Sequence, residues 1–206
     1  MLSYIMAQIS PSQKTKSTFC DRFDFGTEEV RAILSRFLAS RIGSKGIDIL
    51  TENYAKIMAE WAVKTDKWGM LLCGTYGCGK TTLANAFADT YGIIEGTIGT
   101  IATCRLSAIE LCTIARTNEA KFSEICNKVE LIVLDDVGIE PMHVNVFGTY
   151  VSPVVEMLYK RYDNRKPIIL TTNLSAKEFY TRYGDRIKDR GKEMFSILTM
   201  KNGSRR

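Results

Sequence analysis

Between Trp68 and Met200, short apolar runs alternate with longer stretches in which apolar residues recur every three or four positions. The runs Trp68 to Cys73, Thr97 to Cys104, Leu131 to Asp135, Pro167 to Thr172 and Met194 to Met200 read as strands. Lys80 to Tyr91, Ser107 to Arg116, Glu119 to Asn127 and Pro153 to Asp163 read as helices. The strand runs are apolar throughout instead of at every second position, which is the mark of strands covered on both faces. Strand–helix alternation then predicts an α/β fold with a parallel sheet and helices on both faces.

Upstream, Val30, Ile33, Leu34, Phe37 and Leu38 recur at helical spacing over Thr27 to Ala39. Thr27 is placed as N-cap, with Glu28 and Glu29 in the first turn. Gly43 and Gly46 interrupt the pattern, and Asp48 to Lys64 predicts a second amphipathic helix with Ile49, Tyr54, Ile57, Met58 and Trp61 on its apolar side. Residues 1–20 are rich in Ser, Thr, Gln and Lys and read as a mobile tail or partner-binding arm. The remainder, 21–206, reads as one domain with a helical lead-in over 27–64.

Composition narrows the class. The 206 residues are 45% hydrophobic and 25% charged, enough for a real core. No apolar run reaches the ~18 residues of a membrane span, and the N-terminus lacks the basic lead and long apolar centre of a signal peptide. None of the six cysteines forms a Cys-x-x-Cys pair, which argues against a zinc ribbon and for free thiols in a reducing cytoplasm. The net charge of +5 is modest, but basic residues concentrate between Lys177 and Arg206. That stretch allows contact with nucleic acid or an acidic partner, or is a solvated surface.

The chemistry begins at Gly74-Thr75-Tyr76-Gly77-Cys78-Gly79-Lys80-Thr81, a Gly-x-x-x-x-Gly-Lys-Thr pattern that leaves a strand and opens a helix. Glycines let backbone N–H groups curl around phosphate oxygens, and the helix start adds its positive end. Lys80 is expected to reach the β- and γ-phosphates of ATP and the Thr81 hydroxyl to hold Mg²⁺, with Thr82 continuing the binding segment. Leu131-Ile132-Val133-Leu134-Asp135-Asp136 supplies acids at the carboxyl end of a buried strand, where open α/β sheets bind ligands. Asp135 is the expected metal partner, and Asp136 is placed to polarise the attacking water. Asn173, in Thr171-Thr172-Asn173, ends the next strand and can hydrogen-bond the γ-phosphate or that water.

Arg186 and Arg190, in Tyr183-Gly184-Asp185-Arg186-Ile187-Lys188-Asp189-Arg190, share one side of a helix if the segment is helical. From the residues alone they are either surface ion-pair members or an arginine finger for a neighbour's ATP. His143, the sole histidine, reads as a surface residue. Asn127-Lys128-Val129-Glu130 lies on the wrong side of the Asp135 strand to read guanine, which leaves adenine. Trp61 and Trp68 read as core or subunit-contact aromatics.

These motifs, in this order, resemble the AAA+ ATPases of the DnaC and IstB type, over roughly Leu50 to Arg206. Arg161-Tyr162, Thr171-Thr172-Asn173-Leu174 and the run Tyr183 to Arg190 carry the resemblance, with Glu193-Met194-Phe195 and Ser204-Arg205-Arg206 at the end. It implies a five-stranded parallel sheet of order 5-1-4-3-2; as a departure from the family, the helical lid is expected to be reduced or absent, because the sequence stops soon after the fifth strand. It also implies Lys80, Thr81, Asp135 and Asp136 as Walker residues, Asn173 as sensor 1, and Arg190 as the finger with Arg186 as companion. Arg205 is a weak sensor 2 candidate, and Asp136 stands where many AAA+ proteins have Glu. The function implied is a DnaC-like helicase loader that hydrolyses ATP, binds single-stranded DNA and a DnaB-type replicative helicase, and assembles as a homo-oligomer through nucleotide-bridged interfaces. The rivals are an IstB-like transposition helper on duplex DNA, a P-loop small-molecule kinase, and a nucleotide-gated scaffold.

Overall fold

The apolar runs at 69–74, 131–135 and 168–172 become the largely buried central strands of one sheet, and the edge strands at 103–107 and 195–200 are partly exposed. The computed structural model describes residues 26–43, 48–94, 103–146 and 148–200. Along the chain come α1 (Thr27–Ile42), α2 (Ile49–Lys64), β1 (Gly69–Gly74), α3 (Lys80–Ile94), β2 (Thr103–Ser107), α4 (Ala108–Thr117) and α5 (Glu119–Lys128). Then follow β3 (Leu131–Asp135), β4 (Val144–Val146), β5 (Thr149–Val151), α6 (Pro153–Asp163), β6 (Ile168–Thr172), α7 (Ala176–Tyr183), α8 (Asp185–Met194) and β7 (Phe195–Met200). The main sheet runs β2-β3-β6-β1-β7, with every pair parallel. Counting only these strands along the chain, the order is 5-1-4-3-2. The added detail is an antiparallel hairpin, β4 with β5, that the hydrophobic pattern did not announce.

Successive strand residues point to opposite faces, and both faces are covered. Met70 and Leu72 of β1, Val133 of β3 and Ile169 of β6 share an apolar cluster with Val30, Leu34 and Leu38 of α1, Met58 and Trp61 of α2 and Phe87 of α3. Leu71, Cys73, Ile132, Leu134 and Leu170 belong to the opposite cluster, with Leu111, Phe122, Met157, Phe179 and Ile187 from α4 to α8. This explains why β1, β3 and β6 carry no polar alternation. The lead-in helices are thus part of the same packing as the sheet. Trp61 fills that junction, its indole N–H donating to the Lys67 carbonyl at 2.8 Å and its ring 5.3 Å from Phe87. Trp68 is likewise buried.

Several expectations need correction or fall outside the structure. Ile57 is exposed, not part of the apolar side of α2. Ala55, Ala59 and Ala62 are fully buried instead, and small side chains let this helix approach its neighbours closely while Ile57 turns to the flank. The strand expected over 97–104 appears as Thr103–Ser107, and residues 95–102 lie outside the described residues. Ser107 ends it because its hydroxyl accepts from the Glu110 N–H at 3.1 Å, while the Glu110 carboxylate takes the Ser107 N–H at 2.7 Å. The tail over 1–20 and the candidate Arg205 also lie outside the described residues.

Arg161 anchors the far end of the sheet. It is fully buried, and its guanidinium donates to the carbonyls of Val129, Glu130 and Pro167, just ahead of β3 and β6. Burial pulls its pKa down to about 10, with the nearby Glu130 charge acting the other way. The side chain ties α6 beneath the two strands whose opposite ends carry Asp135 and Asn173.

Candidate functional site

β1 leaves the sheet at Gly74, beside Met200 of β7. A Cβ on Gly74 would lie 2.4 Å from the Met200 carbonyl oxygen, so only glycine permits the loop to depart there. The loop turns through Gly77 and Gly79, with φ of 74° and 96°, and enters α3 at Lys80.

The Lys80 side chain is buried inside this loop. Its ammonium donates to the Gly74 carbonyl at 2.9 Å, the Thr75 carbonyl at 2.8 Å and Asn173 Oδ1 at 2.9 Å. A buried ammonium has three protons to satisfy, and here β6 supplies one partner through Asn173. The loop that leaves β1 and the end of the adjacent strand β6 are joined by a single cation. Cys78 is buried below it, with Sγ 3.7 Å from the ammonium.

Thr81 Oγ1 donates to Asp135 Oδ1 at 2.9 Å. The Thr171 hydroxyl, on β6, donates to the same Oδ1 and accepts the Asp136 N–H at 3.0 Å. Val137 N–H donates to the Thr171 carbonyl at 2.8 Å, and Thr172 Oγ1 donates to the Val137 carbonyl at 2.5 Å. The end of β6 therefore templates the turn after β3. Within that turn Asp136 has φ of 53°, a left-handed conformation that Asp tolerates better than most residues. Sequence reasoning named Asn173 but passed over Thr171, whose role arises across strands.

These groups open on a cavity of about 410 Å³. Tyr76, Gly77, Cys78, Gly79, Lys80, Thr81, Thr82, Asp136 and Asn173 line one side, and Leu38, Ile42, Thr51, Tyr54 and Met200 the other. The second wall, contributed by α1, α2 and β7, was not foreseen. Leu38 and Tyr54 read in sequence only as apolar helix positions, and Ile42 lies beyond the helix expected over Thr27 to Ala39.

Arg186 and Arg190 are not brought to this cavity. Both lie on α8, which runs into Phe195, the residue paired with Gly69 at the amino end of β1. The phosphate loop leaves the carboxyl end of the same strand, roughly 17–20 Å away for a strand of this length. The Arg190 guanidinium lies 4.5 Å from the Tyr159 ring centroid and 4.8 Å from that of Tyr162, with Asp163 Oδ1 at 3.8 Å. Arg186 is exposed, 5.7 Å from the Tyr159 ring. His143 is exposed.

A sequence model of the IstB-like ATP-binding proteins matches residues 49–198. The chain belongs to that family. As an IstB-like protein it binds ATP and is an AAA+ ATPase. No curated protein matches it in sequence. Among solved structures the IstB-like chain is similar to DnaI, with TM-score 0.58 and 20% identity over 89% of this chain and 95% of that one. It is similar to the DnaC helicase loader, with TM-score 0.56 and 19% identity over 75% and 92%. DnaA from Aquifex aeolicus, bound to AMPPCP, gives TM-score 0.55 and 17% identity over 75% of this chain, which spans only 47% of the DnaA chain. At these identities the likeness is one of fold. No helix among the described residues is long and apolar enough to cross a membrane.

Proposed function

We propose that this IstB-like ATPase is a cytoplasmic DNA-replication accessory protein, a helicase-loader-like machine that works on single-stranded DNA with a DnaB-type helicase. The observation that carries the ATP-dependent part is the Lys80–Asn173 contact at 2.9 Å, which joins the phosphate loop to the strand end that senses the nucleotide. On arrival of ATP the ammonium exchanges its loop carbonyls for phosphate oxygens, and Asn173 is freed to face the γ-phosphate or the attacking water. Asp136 polarises that water from the cavity wall. Leu38, Ile42, Thr51 and Tyr54 form the wall against which the adenine ring packs.

Thr81 Oγ1 and Asp135 Oδ1, 2.9 Å apart, are hard oxygen donors of the kind Mg²⁺ takes. Among the described residues no cluster of three or more His, Cys, Asp or Glu forms a metal cage. Two protein oxygens completed by phosphate and water fit the habit of this ion. When bound, Mg²⁺ neutralises developing phosphate charge.

Arg190, on the far side of the sheet from its own cavity, is proposed to serve a neighbouring protomer in a homo-oligomer, with Arg186 beside it. Arg190→Ala is expected to bind ATP normally and to lose on the order of 10³-fold or more in turnover.

The helicase-loader reading takes support from the DnaC and DnaI folds, of which this chain covers 92% and 95%, and from the basic residues between Lys177 and Arg206. The family match favours a second reading, a transposition helper on duplex DNA. Fluorescence anisotropy with single- and double-stranded oligonucleotides, with and without ATP, separates the two. ATP-promoted binding of single strands that weakens with salt supports the loader reading. Preference for duplex supports the transposition helper, and no binding even at low salt overturns both.

A further inference from the structure

Tyr159 and Tyr162 are three residues apart on α6 and therefore share one side of that helix. Both are half-buried, and the Arg190 guanidinium lies over both rings, at 4.5 and 4.8 Å from their centroids. Contacts this close are attractive through the ring quadrupole. The guanidinium carries its N–H donors at the rim of its plane. The Asp163 carboxylate, 3.8 Å away and largely exposed, is too distant to take those donors as a hydrogen bond. A cation held over two aromatic rings, with its nearest carboxylate beyond hydrogen-bond distance, is positioned yet still able to grip phosphate oxygens in a fork.

The seat is itself held in place. Tyr162 OH donates to Glu193 Oε2 at 2.6 Å, tying α6 to the helix that carries the arginine. Gly191 packs so closely on Tyr180 that a Cβ there would lie 2.7 Å from the ring, which fixes how α8 is turned. Arg186 is exposed and approaches only Tyr159, at 5.7 Å. The two arginines are thus unequal, and the seated one is Arg190.

We propose that Tyr159 and Tyr162 are positioning residues that present Arg190 to the ATP of a neighbouring protomer. The inference rests on the trans-arginine reading above. A free arginine side chain loses much rotamer entropy when it docks, and the two rings remove part of that loss before protomers meet. The residues act on the arginine, so they affect the neighbour's turnover and leave their own protomer's nucleotide pocket untouched.

The test mixes two kinds of protomer on single-stranded DNA. Acceptors carry Arg190→Ala and keep an intact phosphate loop. Donors carry Lys80→Ala, cannot turn over ATP themselves, and lend their arginine. Donors that also carry Tyr159→Phe keep both ring faces and the Tyr162–Glu193 hydrogen bond, and should restore acceptor turnover as well as the parent donor does. A donor with Tyr159→Leu and Tyr162→Leu should restore about ten-fold less kcat, with the acceptor's KM for ATP unchanged. Circular dichroism and light scattering establish that each donor is folded and co-assembled, and if the double leucine donor is not, each single leucine donor is read in the same way. Equal restoration by leucine and parent donors overturns the seat while leaving the trans arginine standing. No restoration by the parent donor overturns the trans arginine and the seat with it.

Discussion

The Lys80 ammonium and Asn173 Oδ1 are 2.9 Å apart, although one residue opens α3 and the other follows β6, 93 positions along the chain. Removing either one affects the other. Lys80→Ala deletes the phosphate contact and also frees the Asn173 side chain. We expect the variant to fold as before and to bind ATP on the order of 10²-fold more weakly, since charge-assisted bonds to phosphate are worth about 1.5–3 kcal/mol each. Isothermal calorimetry measures it, and unchanged affinity in a folded variant would remove Lys80 from the phosphate site.

Asp136 faces the cavity while Asp135 faces Thr81. Asp136→Asn is expected to bind Mg-ATP with near-normal affinity and to turn it over about 10²–10⁴-fold more slowly, the range for loss of a proton acceptor. Asp135→Asn is expected instead to weaken the part of the binding that depends on Mg²⁺. Titrations with and without the metal, beside steady-state phosphate release, distinguish the two acids.

Thr171 holds both acids through one hydroxyl. Thr171→Val preserves shape, removes the donor to Asp135 and strands the Asp136 N–H. The expected loss is about 1–3 kcal/mol of folding stability together with a lower kcat, and Thr171→Ser should recover most of both. A valine variant with wild-type turnover would make the hydroxyl a packing feature only.

How much of this could be read from sequence depends on whether a signal is local. The loop from Gly74 to Thr81 and the run from Leu131 to Asp136 each carry their pattern within a few residues, so their places at strand ends were legible. Thr171 was not, because its partners are in another strand and the hydrogen bonds exist only once β3 and β6 are in register. Leu38 and Tyr54 were seen, but as core residues, and nothing in helical periodicity distinguishes a residue that packs from one that also lines a cavity. The hairpin of β4 and β5 has three residues per strand, too few for an alternation to stand out.

Burial raises the thiol pKa of Cys73 and Cys112 to about 11 and that of Cys126 to about 12. An unfolded chain releases these protons near pH 9, whereas the folded chain keeps them. Their contribution to stability is therefore complete below pH 9 and is lost as pH rises toward 11 and 12. Urea midpoints at pH 7, 9 and 10.5 should fall over the upper interval, and the fall should be smaller in Cys126→Ala.

Gly74 lies beside Met200, and β1 is flanked by β6 and β7, so the strand that carries the phosphate loop is enclosed only by residues made much later. During synthesis the chain from β1 onward must wait, with its loop-closing contacts unavailable, until the last of these strands has left the ribosome. Long-range parallel pairing of this kind is slow, and the wait, at about 5–20 residues per second, lasts many seconds. Retention of ATP then marks a finished molecule: a nascent chain arrested with residue 194 just emerged should not hold a fluorescent nucleotide, and one arrested after Met200 has cleared should.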